Sequence, residues 1–347
     1  MTLVKALLCV ALLLASPVHA QDNDRLPGEW RIALAGDIML GTDYPTRMLP
    51  PNEGRGLLDA AGTSLSWADV AIGNQEGTFG EGGVTGKLHC QKCYAFRTPS
   101  EIARRLSEAG FEAMAMANNH ARDFGDNGLL KTQQALRSVG IQGTGWQGST
   151  PAVFRRGSES ACLLAFAPNA GMNDLRDIPM AALLVRKAKT ECTVVIVSFH
   201  GGAEGANKTH TPYGAELYLG ENRGDVRAFA RAMVDAGAGI VFGHGPHVPR
   251  GMELYRGHLI AYSLGNFMTY GGMNVSGVLG QAPLLLVRIG QDGRLISGRI
   301  VPFIQTPKSP LRVDPQLRAI RTIVNATQQD FEGGSLSFTV DGGFHPR

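Results

Sequence analysis

Ile240-Val241-Phe242-Gly243-His244-Gly245-Pro246-His247 is the stretch on which the reading of this chain turns. Three apolar, strand-favouring residues run straight into a glycine/proline turn that carries two imidazoles three residues apart. The pattern repeats at once. Leu259-Ile260-Ala261-Tyr262-Ser263-Leu264 ends in Gly265-Asn266-Phe267. A buried strand followed by a small polar loop is how an α/β protein presents ligand-binding side chains. An H-x-x-H pair alone equally describes an ordinary turn, so the remainder of the chain must supply its partners.

Working outward, four further runs behave the same way. Ile32–Ala35 ends in Gly36-Asp37, and Val70–Ile72 ends in Gly73-Asn74-Gln75-Glu76-Gly77. Ala113–Ala117 delivers Asn118-Asn119-His120, and Val194–Phe199 delivers His200-Gly201-Gly202. Helical segments alternate with them. Thr98-Pro99-Ser100-Glu101 offers a capping box with proline at the first helical position. Gly128–Val139 and Val226–Ala236 have apolar residues at helical spacing, and Arg318–Val324 predicts a terminal helix. Leu284–Arg288 and Leu295–Phe303 flank Gln291-Asp292-Gly293, which predicts a hairpin. The fold class is therefore α/β with a largely parallel or mixed buried sheet.

Loops at the carboxyl ends of such strands converge on one rim. That rim would gather Asp37, Asn74, Glu76, Asn119, His120, His200, His244, His247 and Asn266. Each has an ordinary explanation: Asp37 as a turn cap, Asn119 in a left-handed loop, His200 as a core histidine. Their joint recurrence at strand ends argues instead for a divalent cation site suited to zinc, manganese or iron.

The chain has 347 residues, 44% of them hydrophobic and 18% charged, with 45 glycines. A net charge of +3 is too small to argue for nucleic acid or an anionic membrane surface. Lys5 precedes the apolar run Ala6–Ala15, and Val18-His19-Ala20 fits cleavage before Gln21. Residues 1–20 thus read as a cleaved signal peptide, which predicts a periplasmic or secreted protein, with a retained anchor as the competing reading. Beyond it lie Cys90, Cys93, Cys162 and Cys192, an even number for an oxidising compartment. Cys90-x-x-Cys93 reads as a loop disulfide or as a redox or zinc pair. Cys162 and Cys192 each open an apolar run and would meet if those runs are neighbouring parallel strands.

Six blocks carry a family resemblance: Gly36-Asp37-Ile38-Met39-Leu40-Gly41, Gly73–Gly77, Ala117–Gly125, His200-Gly201-Gly202-Ala203-Glu204, Gly243–Val248 and Tyr262–Phe267. In order and spacing, from about Arg31 to Pro302, they resemble the CapA-type capsule-synthesis proteins associated with bacterial poly-γ-glutamate biosynthesis. That family in turn resembles the calcineurin-like metallophosphoesterases. The resemblance implies a four-layer α/β/β/α sandwich of mostly buried mixed sheets over 28–325, followed by a tail at 326–347. It implies Asp37, Asn74 or Glu76, Asn119, His200, His244 and His247 as ligands of one or two ions, and His120 as the acid for the leaving group. Asn118, Glu204 and Asn266 are expected to contact substrate. Met39 stands where the phosphoesterases usually carry a histidine, and their bridging aspartate has become Asn74 or shifted to Glu76. Either change weakens one of the two metal positions, leaving a single-metal site or none. Within the CapA pattern, Gln75 and Gly245 also depart from the usual residues.

Two functions follow from these readings. One is an exported metal-dependent hydrolase of a phosphoester or related bond, with the glycine-rich loops Gly77–Gly86 and Gly201–Gly214, including His210 and Tyr213, bordering the cleft. The other is a non-catalytic component that grips an anionic polymer, in peripheral association with a membrane polymer synthase. Neither the substrate nor the oligomeric state is written in these motifs.

Overall fold

The computed structural model describes residues 25–87, 94–331 and 334–347. The signal-peptide reading of 1–20 and the Cys90/Cys93 pair lie outside the described residues.

Two mixed sheets stack face to face. In the ten-stranded sheet the path runs Leu336–Phe338, Gly343–Pro346, Leu295–Ile304, Gln281–Ile289, Trp30–Met39, Val70–Gln75, Ala113–Ala115 and Gln142–Thr144. The six-stranded sheet runs Met252–Tyr255, His258–Ala261, Ile240–His244, Val194–His200, Glu159–Phe166 and Ala152–Arg156. Trp30–Met39 pairs in parallel with Val70–Gln75 and antiparallel with Gln281–Ile289. In the second sheet Ile240–His244 lies parallel between Val194–His200 and His258–Ala261. The predicted hairpin forms, pairing Gln281–Ile289 with Leu295–Ile304.

The period-two side-chain alternation of a strand assigns the layers. Ile32 and Leu34 join Val194, Ile196, Ile240 and Phe242 in a core between the sheets. Ala33 and Ala35 point the other way, into a core shared with Leu106 and Leu136 of the helices Arg104–Ala109 and Gly125–Ser138. On the far side, Val195, Val197 and Val241 pack on Val185 of Ile178–Glu191 and on Phe229 and Met233 of Val226–Asp235. Three stacked cores require four layers, so the architecture is the α/β/β/α sandwich. Each buried Val, Leu, Ile or Phe contributes roughly 1.5–3 kcal/mol, which explains why the central strands are apolar on both faces.

The structure departs from the sequence reading in two places. The described residues within 326–347 do not form a tail. The helix Arg318–Asp330 places Ile320 and Ile323 in the inter-sheet core, and Gly343–Pro346 pairs onto Leu295–Ile304 at Gly298↔Phe344. Burial of Phe344 at 1% exposure supplies the driving force. The capping box at Thr98 and Glu101 does not form either. Thr98 Oγ1 donates to Gly41 O, and the segment opens as a 3-10 turn, Ser100–Ala103, without a side-chain cap.

Cys162 and Cys192 are joined, their Cα atoms 5.9 Å apart. The parallel register of Glu159–Phe166 on Val194–His200 brings them together, as the two apolar runs suggested.

Candidate metal centre

One close approach builds the site. The Cβ that any other residue would carry at position 36 would lie 2.1 Å from Gly265 O, so only glycine fits there. Asp37 N then donates to that same carbonyl at 2.8 Å, and Asp37 pairs with Asn266 across parallel strands. The chain thereby passes from the six-stranded sheet back to the ten-stranded one beside the first carboxylate. Gly243 is constrained in the same way, since a Cβ would meet the Phe199 ring at 2.3 Å. That contact lets the strand ends bearing His200 and His244 lie side by side, in register.

Asp37, Glu76, His200 and His244 are fully buried, and His247 is 16% exposed. His247 adopts φ +59°, and its Nδ1 lies 3.1 Å from Asp37 Oδ2 and 3.0 Å from Asn266 Oδ1. Its Nε2 lies 3.7 Å from Glu76 Oε1. His244 Nδ1 is 3.6 Å and His200 Nδ1 3.9 Å from Asp37 Oδ1, while His200 Nε2 is 4.0 Å from Glu76 Oε1. Ligand atoms of Asp37, Glu76 and His247 all fall within 4.8 Å of one another.

Both oxygens of Glu76, Nε2 of His200 and both ring nitrogens of His244 are buried without a hydrogen-bond partner. Leaving one such group unsatisfied costs about 1–3 kcal/mol. Lone pairs from a carboxylate and two imidazoles, aimed inward and unused, are the donor set of a borderline-hard cation. The residues present therefore fit a divalent ion.

Protonation tells the same story. Burial pushes the Glu76 carboxyl well up, and the nearby Asp37 charge adds to it. Burial alone would lower His247, but Glu76, Asp37 and Glu204 raise it to about 10. Burial pushes His244 down to about 4 and His200 well below its usual range, against the pull of Asp37. Burial would raise Asp37, but the hydrogen bond and charge of His247, with His244 and His200, hold it low. The His247 imidazolium thus lies against the buried Asp37 carboxylate.

The remaining expected residues divide between this cluster and its surroundings. Asn74 Nδ2 donates to Asp37 Oδ1 at 2.8 Å, so Asn74 steadies that carboxylate. Asn118 links Asn74 Oδ1, Gln75 O and the His120 amide, which commits its whole amide group to protein partners. Asn266 is committed likewise, to His247 and Leu279 O. Both side chains are buried, at 1% exposure each. The Asn119 side-chain oxygen is buried without a partner. His120 Nδ1 sits 2.9 Å from Asp123 Oδ2. His210 and Tyr213, expected at the cleft, lie instead against Asp330 and over Arg227.

Three contributors were missed in the sequence reading. Asp123 orients His120, and Lys87 Nζ reaches Asp123 Oδ1 at 2.5 Å; the H-x-x-D spacing was the available signal for the first. Arg223 pairs with Glu204, with no local motif to announce it.

With this geometry in place, comparison with known proteins gives a consistent result. Residues 31–270 match the family described as Bacterial capsule synthesis protein PGA_cap. The chain is 26% identical over 336 residues to the PGA biosynthesis protein CapA of Bacillus subtilis, covering 89% of this chain and 82% of that one. It is 26% identical over 283 residues to the capsule biosynthesis protein CapA of Bacillus anthracis, covering 73% and 62%. Among solved structures it is similar to a 5'-nucleotidase precursor from Thermus thermophilus, with TM-score 0.45 and 13% identity over 87% of this chain and 58% of that one. The chain belongs to the bacterial capsule synthesis protein family PGA_cap.

Proposed function

We propose that this protein is an exported, metal-dependent hydrolase of a phosphoester or related bond, working in capsule or poly-γ-glutamate metabolism. The observation that carries this reading is the cluster of inward-facing, unpartnered lone pairs on Glu76, His200 and His244 around Asp37 and His247. These residues would hold one or two divalent ions of zinc, manganese or iron, with the Asn119 oxygen as a further candidate ligand. Such an ion supplies Lewis-acid polarisation of the scissile group.

The chain's own residues would do the rest. Asn74 and Asn266 fix the orientation of Asp37 and His247. Asp123 holds His120 through Nδ1, which leaves Nε2 to deliver a proton to the departing oxygen. Burial lowers the His120 pKa, partly offset by Asp123. Export is supported by the apolar run Ala6–Ala15 and by the Cys162–Cys192 disulfide. The capsule context comes from the two CapA relatives, whose names place them in polymer biosynthesis.

A second reading, a non-catalytic component that grips an anionic polymer beside a membrane synthase, is favoured by one observation. Met39 is buried and apolar at the position where, by the resemblance, the phosphoesterases carry a histidine. The two readings part on a single preparation. Elemental analysis of the mature protein, with bis(p-nitrophenyl) phosphate and polyglutamate as substrates, is expected to show bound metal and turnover. His244→Ala should abolish that turnover, and His120→Ala should slow it by about 10²–10⁴-fold. Metal without turnover supports the second reading. A protein that takes up none of the three metals refutes the metal-centre reading.

A further inference from the structure

A groove of about 760 Å³ runs between the helix Arg318–Asp330 and the strand Leu336–Phe338, the size of a ligand-binding cleft. None of the described residues that line it belongs to the metal cluster. Helix and strand run in opposite directions along it. A Cβ at Gly342, just past the strand, would lie 2.7 Å from Ile320 Cδ1 near the start of the helix. One at Gly334, just before the strand, would lie 3.1 Å from Phe331 O at the helix end. Val324 on one wall and Phe338 on the other are half-buried against the inter-sheet core. Val340, at the lip, is 93% exposed.

The strand is the last in the ten-stranded sheet, and among the described residues no strand pairs with its other edge. Ser335 O accepts from Arg347 N, and Thr339 N donates to Gly343 O, both at 2.8 Å. Alternation along an antiparallel ladder therefore turns the N–H and C=O of Leu336 and Phe338 away from Gly343–Pro346. Open edges are usually guarded by lysine, proline or an inward-pointing charge. Ser335-Leu336-Ser337-Phe338-Thr339-Val340 carries none of these, and it alternates polar with apolar residues throughout.

An open edge beside an apolar trough accepts an extended peptide as one more strand, with backbone bonds giving affinity and alternate side chains giving selectivity. The charge on the walls selects the peptide. Arg321 lines the end near Gly342, Arg347 lines the end near Ser335, and no Asp or Glu side chain among the described residues lines the groove. From Arg321 to Phe331 the helix rises about 15 Å, which an extended chain spans in about four or five residues. A second copy docked edge to edge would bring arginine toward arginine. A chain of carboxylates alone would leave the apolar floor uncovered. We infer that this groove takes up an extended segment of a partner protein by strand addition, with apolar residues over Val324 and Phe338 and carboxylates about four residues apart at Arg321 and Arg347. The inference is independent of any reaction at the metal centre.

Calorimetric titration of the full chain with the capped peptide Glu-Val-Thr-Val-Glu tests the assignment, beside its Lys-Val-Thr-Val-Lys and Glu-Ser-Thr-Ser-Glu analogues and a poly-γ-glutamate chain. The first should bind at least about tenfold more tightly than each of the others, through its end charges or its valines. Arg321→Glu alters an exposed side chain. It should weaken the Glu-ended peptide and strengthen the Lys-ended one, by about three- to tenfold each. On saturation, nuclear magnetic resonance should show the Leu336 and Phe338 amide protons protected from exchange, while that of Thr339, already in the ladder, is unchanged. No binding of Glu-Val-Thr-Val-Glu, equal binding of the charge-reversed peptide, or equal competition by poly-γ-glutamate overturns the inference. Protection of the two amides that rises with protein concentration alone overturns it in favour of a second copy.

Discussion

His247 Nδ1 stands 3.1 Å from Asp37 Oδ2 although 210 residues separate them along the chain. The imidazole holds its proton up to about pH 10 because Glu76, Asp37 and Glu204 surround it. A cation that replaces this positive charge must expel the proton. Zinc or manganese binding at pH 7 is therefore expected to release protons and to tighten as pH rises. Calorimetry in buffers of different ionisation enthalpy reads the number released, and a value of zero contradicts the assignment of His247. His247→Ala should weaken metal binding by about 10- to 100-fold or more.

Glu76→Gln should act in opposite directions on metal affinity and on stability. The amide loses the charge an ion needs, so affinity falls. Without metal, the wild-type carboxyl has a folded pKa raised well above 4.5 by burial and Asp37. The stability tied to its proton is fully present below pH 4.5 and is lost as pH climbs toward the folded value. The chelated variant should therefore melt higher than the chelated wild type, by a margin that grows with pH. A gain of about 1 kcal/mol corresponds to roughly 2–4 °C. Equal melting curves across pH 5–9 would argue against a buried Glu76 carboxyl that titrates above its usual range.

Breaking the buried Arg250–Glu216 pair from one side is expected to cost about 3–5 kcal/mol, because the remaining charge is stranded at 0% or 6% exposure. Denaturant titration of Arg250→Met and Glu216→Gln reads the cost. Arg250 follows His247 by three residues and Glu216 holds the Ala203 amide. Both variants should therefore also lose metal affinity, without either residue being a ligand.

Replacing Cys162 and Cys192 with serine should lower stability by about 2–4 kcal/mol through the freed 30-residue loop. Urea unfolding of the variant against the oxidised parent measures it. Metal affinity should be unchanged, since the bridge lies at the opposite end of the strand from His200.

The rim was legible because each of its members follows an apolar run, and the carboxyl ends of parallel strands share one edge. Asp37, Glu76, His200, His244 and His247 carry that signal in the sequence. What sequence did not show was who restrains whom. Asn118 and Asn266 look like free amides in a motif, yet both are buried and hydrogen-bonded within the protein. Arg223 lies 19 residues from Glu204, with no periodicity to connect them. The last two strands escaped notice because residues 334–347 lack a long apolar run; only Leu336, Phe338 and Phe344 hint at pairing, and the groove that receives them is built elsewhere in the chain.

Asp37, Asn74 and Glu76 arrive on one sheet and His200, His244 and His247 on the other. An ion clasped between them would act as a rivet through both slabs at that pole. Stripping it should let the slabs breathe there first, so amide protons at the tips of Val194–His200 and Trp30–Met39 should exchange faster while their distant ends stay shielded. It also follows that a fragment ending before residue 200 would carry the acids without the imidazoles, and neither severed half could seize the ion unaided.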